Sequence, residues 1–137
     1  MKKLFAFILL LICVSGAKAQ SVVGVKWQLM RIINLETSQE QFNYAKDTTL
    51  KARLIFKTDS TYGGYFCNTY SGKYKLVNAS KMTLEKPVST RMYCVGRMGE
   101  LEKDLLSNYY PHVANFILDD QWLTLITDKV RLIYKAQ

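Results

Sequence analysis

Residues 63–74 read Gly-Gly-Tyr-Phe-Cys-Asn-Thr-Tyr-Ser-Gly-Lys-Tyr, residues 90–94 read Thr-Arg-Met-Tyr-Cys, and these two sequences decide the fold. They contain two of the three cysteines and three of the seven glycines of the chain. Glycine within a strand pattern indicates a bulge or a sharp bend, because a residue without a Cβ tolerates close backbone approach. Bends of this kind let a sheet curl toward a barrel. We therefore expect the flanking strands to be built around residues 63–94.

The flanking segments alternate with the period of a β-strand. In residues 51–57, Ala52, Leu54 and Phe56 share one face, and the opposite face is mostly charged. This pattern is typical of a half-buried antiparallel strand. Further strands are predicted at residues 25–33, 62–69, 73–76, 81–84, 116–118, 123–125 and 130–134. Tight turns are predicted at residues 70–72 and 119–120, and a polar loop at 36–48 with a helical turn near 40–45.

Residues 96–109 have the pattern of an amphipathic helix. Its apolar stripe consists of Met98, Leu101, Leu105 and Tyr109. Glu100 and Glu102 are expected in the first turns, where they would complement the helix dipole, and Pro111 is expected to end the helix. One helix among antiparallel strands predicts an α+β fold, with a strongly bent antiparallel sheet or incomplete β-barrel and the helix packed across it.

The first 19 residues have the features of a secretory signal peptide. Lys2 and Lys3 precede an apolar run at residues 4–14, and Ala-Lys-Ala at residues 17–19 matches a small-x-small cleavage site. The apolar run is too short for a transmembrane span. We expect export and a single mature domain at residues 20–137. A lipid anchor at Cys13 is the less favoured alternative, because the preceding residue is not small.

The charge of the chain is mildly basic. Removal of residues 1–19 would remove three lysines and no acid, which lowers the formal net charge from +8 to +5. The basic residues are scattered along predicted strands, where they are typical of solvent-facing positions and of edge protection. Neither this distribution nor an exported location favours nucleic acid as a partner. No cofactor motif is present in the sequence.

The two quoted sequences also resemble a family signature. Cys-Asn-x-Tyr-x-Gly-x-Tyr followed by Thr-Arg-Met-x-Cys is similar to the pattern of the META/HslJ-like domain family, and the similar layout extends over residues 25–135. Asn68 and Gly72 occupy positions of this motif, while Phe66 departs from it, since the family usually has glycine there. The resemblance implies a small bacterial envelope protein with a link to heat shock and stress tolerance. It implies a periplasmic location, or an outer-membrane location if the protein is lipid-anchored.

Cys67 and Cys94 are the cysteines that remain after export. Two cysteines in an exported protein predict one disulfide, which would close a loop of about 28 residues and stabilise the fold by roughly 3.5 kcal/mol in the chain-entropy model. Two buried free thiols are the alternative. A redox pair is disfavoured because there is no Cys-x-x-Cys sequence. A metal site with His112, the single histidine, is also disfavoured.

The sequence offers no base–nucleophile pair, metal set or cofactor motif, and it therefore favours a binding module over an enzyme. We predict that Tyr65, Tyr70, Tyr74 and Arg91 contact a partner, either an envelope protein or a small apolar ligand, and that the protein is a monomer. Asn68 is expected to bond backbone groups two residues further on. The alternative function is a cysteine- or carboxylate-dependent envelope enzyme.

Overall fold

The computed structural model describes residues 20–137, so the predicted signal peptide and Cys13 lie outside the described residues. The strands are β1 Lys26–Asn34, β2 Glu40–Asn43, β3 Arg53–Phe56, β4 Thr61–Tyr65, β5 Thr69–Leu76, β6 Met82–Leu84, β7 Val88–Ser89, β8 Asn115–Asp119, β9 Trp122–Ile126 and β10 Val130–Ala136. The helix α1 spans Gly96–Lys103 and continues into a π-helical stretch, Asp104–Tyr109, and a 3-10 turn, Tyr110–His112.

The strands form one antiparallel sheet that curls until its ends meet. The order is β6-β5-β4-β3-β1-β10-β9-β8, with β2 paired to β1 and β7 paired to β5. A bridge between Lys81 and Asn115 joins the two ends, and the Phe116 amide donates to the Ser80 carbonyl at 2.9 Å. Among residues 20–137 the sheet is thus a nearly closed barrel accompanied by one α-helix, which confirms the predicted α+β class and incomplete barrel.

The strand β1 lies at the centre of this arrangement. Its first half pairs with β3 and its second half pairs with β2. Residues 40–43 are therefore a strand, and the predicted helical turn at this place is wrong. The physical reason is the burial of Phe42, which is opposite Ile32 of β1 and gains more from packing in the sheet than from a local helical turn.

The central glycines act differently from the prediction. Gly63 and Gly64 pair with Ser71 and Tyr70 in an unbroken register, so they mark no bulge. A Cβ at Gly64 would overlap the Arg53 carbonyl oxygen, which shows that glycine is required here for close strand approach. The register shift lies in β1 instead, between Leu29 and Arg31. The predicted tight turn at residues 70–72 is also wrong, because β5 runs through it and the chain turns at residues 66–68.

The helical region follows the predicted boundaries with one difference. Leu101, Leu105 and Tyr109 are buried as predicted, and Met98 packs against the edge of the core. Only Gly96–Lys103 is α-helical, since the hydrogen bonding shifts to the π pattern over Asp104–Tyr109. No helix within residues 20–137 has the length and apolar character needed to cross a membrane.

Candidate functional site

The predicted disulfide joins Cys67 and Cys94, whose Cα atoms are 6.1 Å apart. Cys67 lies in the turn between β4 and β5, and Cys94 lies two residues before α1. The alternative of two free buried thiols does not describe the structure. The disulfide attaches the start of the helix to the turn that sequence analysis misplaced, and it brings both ends of the central stretch together.

Glu102 is the acceptor that organises this turn. Its side chain is buried, with a residue exposure of 6%. One carboxylate oxygen, Oε2, accepts the backbone amides of Cys67 and Asn68, each at 2.7 Å, and Oε1 accepts the Asn68 side-chain amide at 2.6 Å. A carboxylate accepts such bonds strongly, because its charge assists each of them. The expectation that Glu102 serves the helix dipole is therefore wrong, since it lies beyond the first turn and turns inward.

The Asn68 side chain links the turn to the segment before the helix. Its Oδ1 accepts the Met92 backbone amide at 2.7 Å and the Thr90 hydroxyl at 2.9 Å, while its Nδ2 donates to Glu102. Its strongest bonds thus span 22, 24 and 34 residues, and the predicted local turn with backbone groups two residues on is not what its side chain makes. We call Glu102, Asn68 and the backbone groups they bind the Glu102 junction.

Gly72, the other motif residue, makes room for a neighbour. A Cβ at this position would lie 2.7 Å from the ring of Tyr62, which is fully buried. The Tyr62 hydroxyl donates to the Glu85 carbonyl, and burial raises the pKa of this phenol. Gly72 therefore has a packing role in β5.

The predicted contact residues do not form one surface. Tyr65 is 45% exposed, with the Arg53 guanidinium 5.9 Å from its ring centroid, and Arg91 is exposed. Tyr74 is half-buried and donates to the Lys57 carbonyl at 2.7 Å. Tyr70 is buried, which corrects the prediction that it contacts a partner, because its ring faces the barrel interior.

Tyr70 belongs to a chain of hydroxyls inside the barrel, which we call the tyrosine network. Its hydroxyl donates to the Arg53 carbonyl at 2.6 Å and lies 3.2 Å from the Tyr110 hydroxyl, which is 2.8 Å from that of Tyr134. Burial raises the pKa of Tyr70, Tyr110 and Tyr134 above the usual value of 10. These rings fill part of the barrel interior. Tyr110 and Tyr134 were not predicted as site residues, although Tyr134 shares the alternation of Val130 and Leu132.

Exposed apolar side chains are concentrated in residues 88–95, which we call the 88–95 segment. Four of its side chains are more than half exposed: Val88 at 78%, Met92 at 64%, Tyr93 at 91% and Val95 at 66%. The Glu102 junction and the disulfide fasten this segment at Met92 and Cys94. Beside it lies a groove of about 350 Å³, which has Lys86 and Lys103 among its lining residues. Water-exposed apolar groups on a braced loop are typical of an interaction surface.

The comparisons assign the chain to a family. The sequence profile of the META domain matches residues 20–137. The chain belongs to the META domain family. This assignment confirms the resemblance inferred from the Cys67 and Cys94 motifs. No curated protein sequence matches the chain.

Solved structures share the fold of this META domain. An NMR structure of a protein from Burkholderia xenovorans superposes with a TM-score of 0.71 at 20% identity, covering 90% of this chain and 94% of that one. A second NMR structure gives 0.58 at 26% identity over 81% and 87%. A DUF4847 family protein from Bacteroides vulgatus gives 0.56 at 14% identity over 83% and 93%. At such identities these likenesses concern the fold.

Two features of the META domain bear on its chemistry. Phe66, which stands where the family pattern has glycine, packs into the core beside the turn. Ligand atoms of Cys67, Cys94 and Glu102 lie within 4.8 Å of one another, a spacing that suits a metal ion. Both sulfurs are bonded to each other, however, so the oxidised protein offers only the carboxylate. His112 is exposed in the 3-10 turn.

Proposed function

We propose that this META domain is exported and acts as a non-enzymatic binding module of the cell envelope, with a role in stress tolerance. The resemblance to META/HslJ-like envelope proteins supports the compartment and the stress role. The disulfide supports export, since such bonds persist in oxidising compartments. In this proposal the mature chain starts at Gln20 and works as a monomer.

The observation that carries the binding function is the exposure of the 88–95 segment. Tyr93 and Met92 expose 91% and 64% of their surface, whereas Phe66, Tyr70 and Leu84 of the central stretch are buried in the core. Exposure of this kind costs solubility, and a braced loop that retains it is typical of a contact surface. The contact we propose lies at Met92, Tyr93 and the neighbouring Arg91. Tyr65 belongs to it only at its edge.

Binding to envelope material tests this proposal. The exported protein, with its disulfide intact, is mixed with envelope fragments of the host and sedimented. We expect co-sedimentation that Met92→Ser/Tyr93→Ser weakens at least tenfold. Ile117→Ser is the matched control, because Ile117 is similarly exposed at 56% but lies in β8. Equal loss in the control, or no binding by the unaltered protein, would contradict the proposal.

The compartment is tested separately. We expect the protein recovered from its host to have an intact mass that begins at Gln20. A chain that begins at Cys13 with a diacylglyceryl group would show that the protein is lipid-anchored instead. Alkylation without a reductant should leave both Cys67 and Cys94 unlabelled.

A second candidate function rests on the position of Glu102. Its Oε1 lies 3.8 Å from the Cys94 sulfur, so a carboxylate is in place to take or return a proton if the disulfide is reduced. This arrangement supports the alternative of a cysteine-dependent enzyme. A test is the rate at which the protein oxidises or reduces a model dithiol. A rate that exceeds that of free cystine and falls in Glu102→Gln would favour this alternative.

A further inference from the structure

We infer that the 88–95 segment docks on the surface of an anionic phospholipid bilayer. This inference rests on the proposed function and names the partner of that same surface. Apolar side chains of the segment would enter the interfacial layer, and basic residues around it would meet the lipid phosphates. The protein would then lie on the membrane without spanning it.

The tip of the segment has the side chains that such an interface favours. Tyr93 is almost fully exposed and carries an apolar ring with a polar end, which is the chemistry enriched at membrane–water boundaries. Met92 and Val95 expose about two thirds of their surface on either side of it. Insertion of these three side chains would remove apolar surface from water without the need for a complementary pocket.

Basic residues lie beside this tip. Arg91 is exposed and precedes Met92 in the chain, and Lys86 and Lys103 line the groove that Met92 also lines. The acids of residues 86–103 are Glu100, which is exposed, and Glu102, which faces the Glu102 junction instead of solvent. The tip and the groove beside it therefore carry three positive side chains, Lys86, Arg91 and Lys103, and this surface is complementary to a phosphate-rich one.

Lys86, Arg91 and Lys103 are not members of an ion pair among residues 20–137. Within residues 20–137 the ion pairs are those of Glu40 with Arg31 and Lys46. Arg97 does not belong to this surface, because it donates to the Gln41 carbonyl at 2.7 Å and lines a pocket with Glu100 and Asp104. Lys86 and Lys103 line the groove beside Met92, where a lipid headgroup would find two cations next to the inserted side chain.

Backbone hydrogen bonds and the disulfide hold the 88–95 segment in place. The Thr90 amide donates to the Thr69 carbonyl at 3.0 Å, the Met92 amide donates to Asn68, and the disulfide holds Cys94. A loop that is already fixed loses little conformational entropy on docking. A fixed loop would also suit a protein partner, but the excess of positive charge beside the tip and the outward-facing tip favour a lipid surface.

Vesicle binding tests the inference. The exported protein, oxidised, is sedimented with vesicles of phosphatidylglycerol and phosphatidylethanolamine, and with phosphatidylcholine vesicles as the neutral control. We expect binding to the anionic vesicles, weakened at least tenfold on the neutral ones and by high salt. Arg91→Gln and Lys86→Gln should each weaken it about fivefold, as expected for one basic residue at an anionic surface. Tyr93→Ser should weaken it without changing the salt dependence.

Matched variants keep the result interpretable. Lys57→Gln removes an equal charge directly after β3, in the β3–β4 hairpin and at the opposite end of β4 from the Cys67 turn, and Ile117→Ser removes an exposed apolar side chain in β8. Both should bind the vesicles like the unaltered protein, and circular dichroism should show that every variant is folded. Equal effects in the controls would overturn the inference, because they would indicate adsorption by net charge alone.

The outcomes separate this inference from the proposed function. Binding to envelope fragments without binding to anionic vesicles would overturn the lipid inference and leave the binding module intact, with a protein as its partner. A failure to bind either would overturn both. Vesicle binding that depends on Arg91 and Tyr93 would support both.

Discussion

Two buried polar groups hold this barrel together, and their chemistry is opposite. The Glu102 junction is built on a charged acceptor that receives bonds from Asn68 and from two backbone amides. The tyrosine network consists of neutral hydroxyls, each of which can donate or accept. A carboxylate can only accept hydrogen bonds, so it cannot replace a lost donor by donating elsewhere. A hydroxyl can both donate and accept, and it can rotate to a new partner. The two regions should therefore respond differently to the same kind of change.

Alkaline pH should have the largest effect, and it acts through the tyrosine network. The folded-state pKa of Tyr70, Tyr110 and Tyr134 is raised by burial, so these phenols stay protonated in the folded protein above pH 10 while they ionise in the unfolded chain. Their contribution to stability is complete below pH 10 and is lost as pH rises. Above pH 10, each such group lowers the free energy of unfolding by about 1.4 kcal/mol per pH unit. The three groups together lower it by about 4 kcal/mol per pH unit.

Urea unfolding between pH 9 and 12 measures this decline. Tyr134→Phe should make the slope shallower by about 1.4 kcal/mol per pH unit, because one of the titrating groups is removed. Tyr93→Phe is the control, since Tyr93 is exposed and its loss should leave the slope unchanged. A slope that is equal in all three proteins would show that the network does not govern alkaline stability.

Loss of the disulfide should come next. Cys67→Ser/Cys94→Ser is expected to lower the free energy of unfolding by about 3.5 kcal/mol, because the unfolded chain regains the freedom of a loop of about 28 residues. Urea unfolding measures the change. Reduction of the unaltered protein with a dithiol should reproduce it. A loss below about 1 kcal/mol would mean that the Glu102 junction alone is enough to hold the 88–95 segment.

Removal of the carboxylate should destabilise the protein by a similar amount. Glu102→Ala leaves two backbone amides and the Asn68 side chain without their acceptor, which we expect to cost about 3 kcal/mol. Glu100→Ala is the matched control on the exposed side of the same helix, and it should change stability by less than about 0.5 kcal/mol. Equal effects of the two changes would refute the role of the Glu102 junction.

Removal of one hydroxyl from the tyrosine network should have the smallest effect. Tyr134→Phe deletes the last group of the chain, and Tyr110 keeps its bond with Tyr70. We expect a loss of about 1 kcal/mol at neutral pH, the value of one neutral hydrogen bond. Thermal and urea unfolding both report it. A loss as large as that of Glu102→Ala would remove the contrast between the two regions.

Local pattern was sufficient for most of the fold. Alternation in residues 51–57 predicted β3, and the apolar stripe of residues 96–109 predicted the helical region, because both signals come from neighbours along the chain. The wrong predictions lie where contacts between residues far apart in the chain determine the local structure. β2 forms because Phe42 is buried against β1, and the turn lies at residues 66–68 because Glu102, 34 residues away from Asn68, binds its amides.

The sequence by itself determined the class of the protein: its α+β barrel, its META domain motifs, and the cysteines that form the disulfide. Only the tertiary structure decided what its polar residues do. In the sequence, Glu102 follows Leu101 of the apolar stripe and has the pattern of a solvent-facing acid on a helix. Tyr70 has the pattern of a surface tyrosine in a tight turn. Burial and hydrogen-bond partners are set by elements that are far apart in the chain, and these give Glu102 its acceptor role and turn Tyr70 inward, leaving the 88–95 segment as the exposed surface.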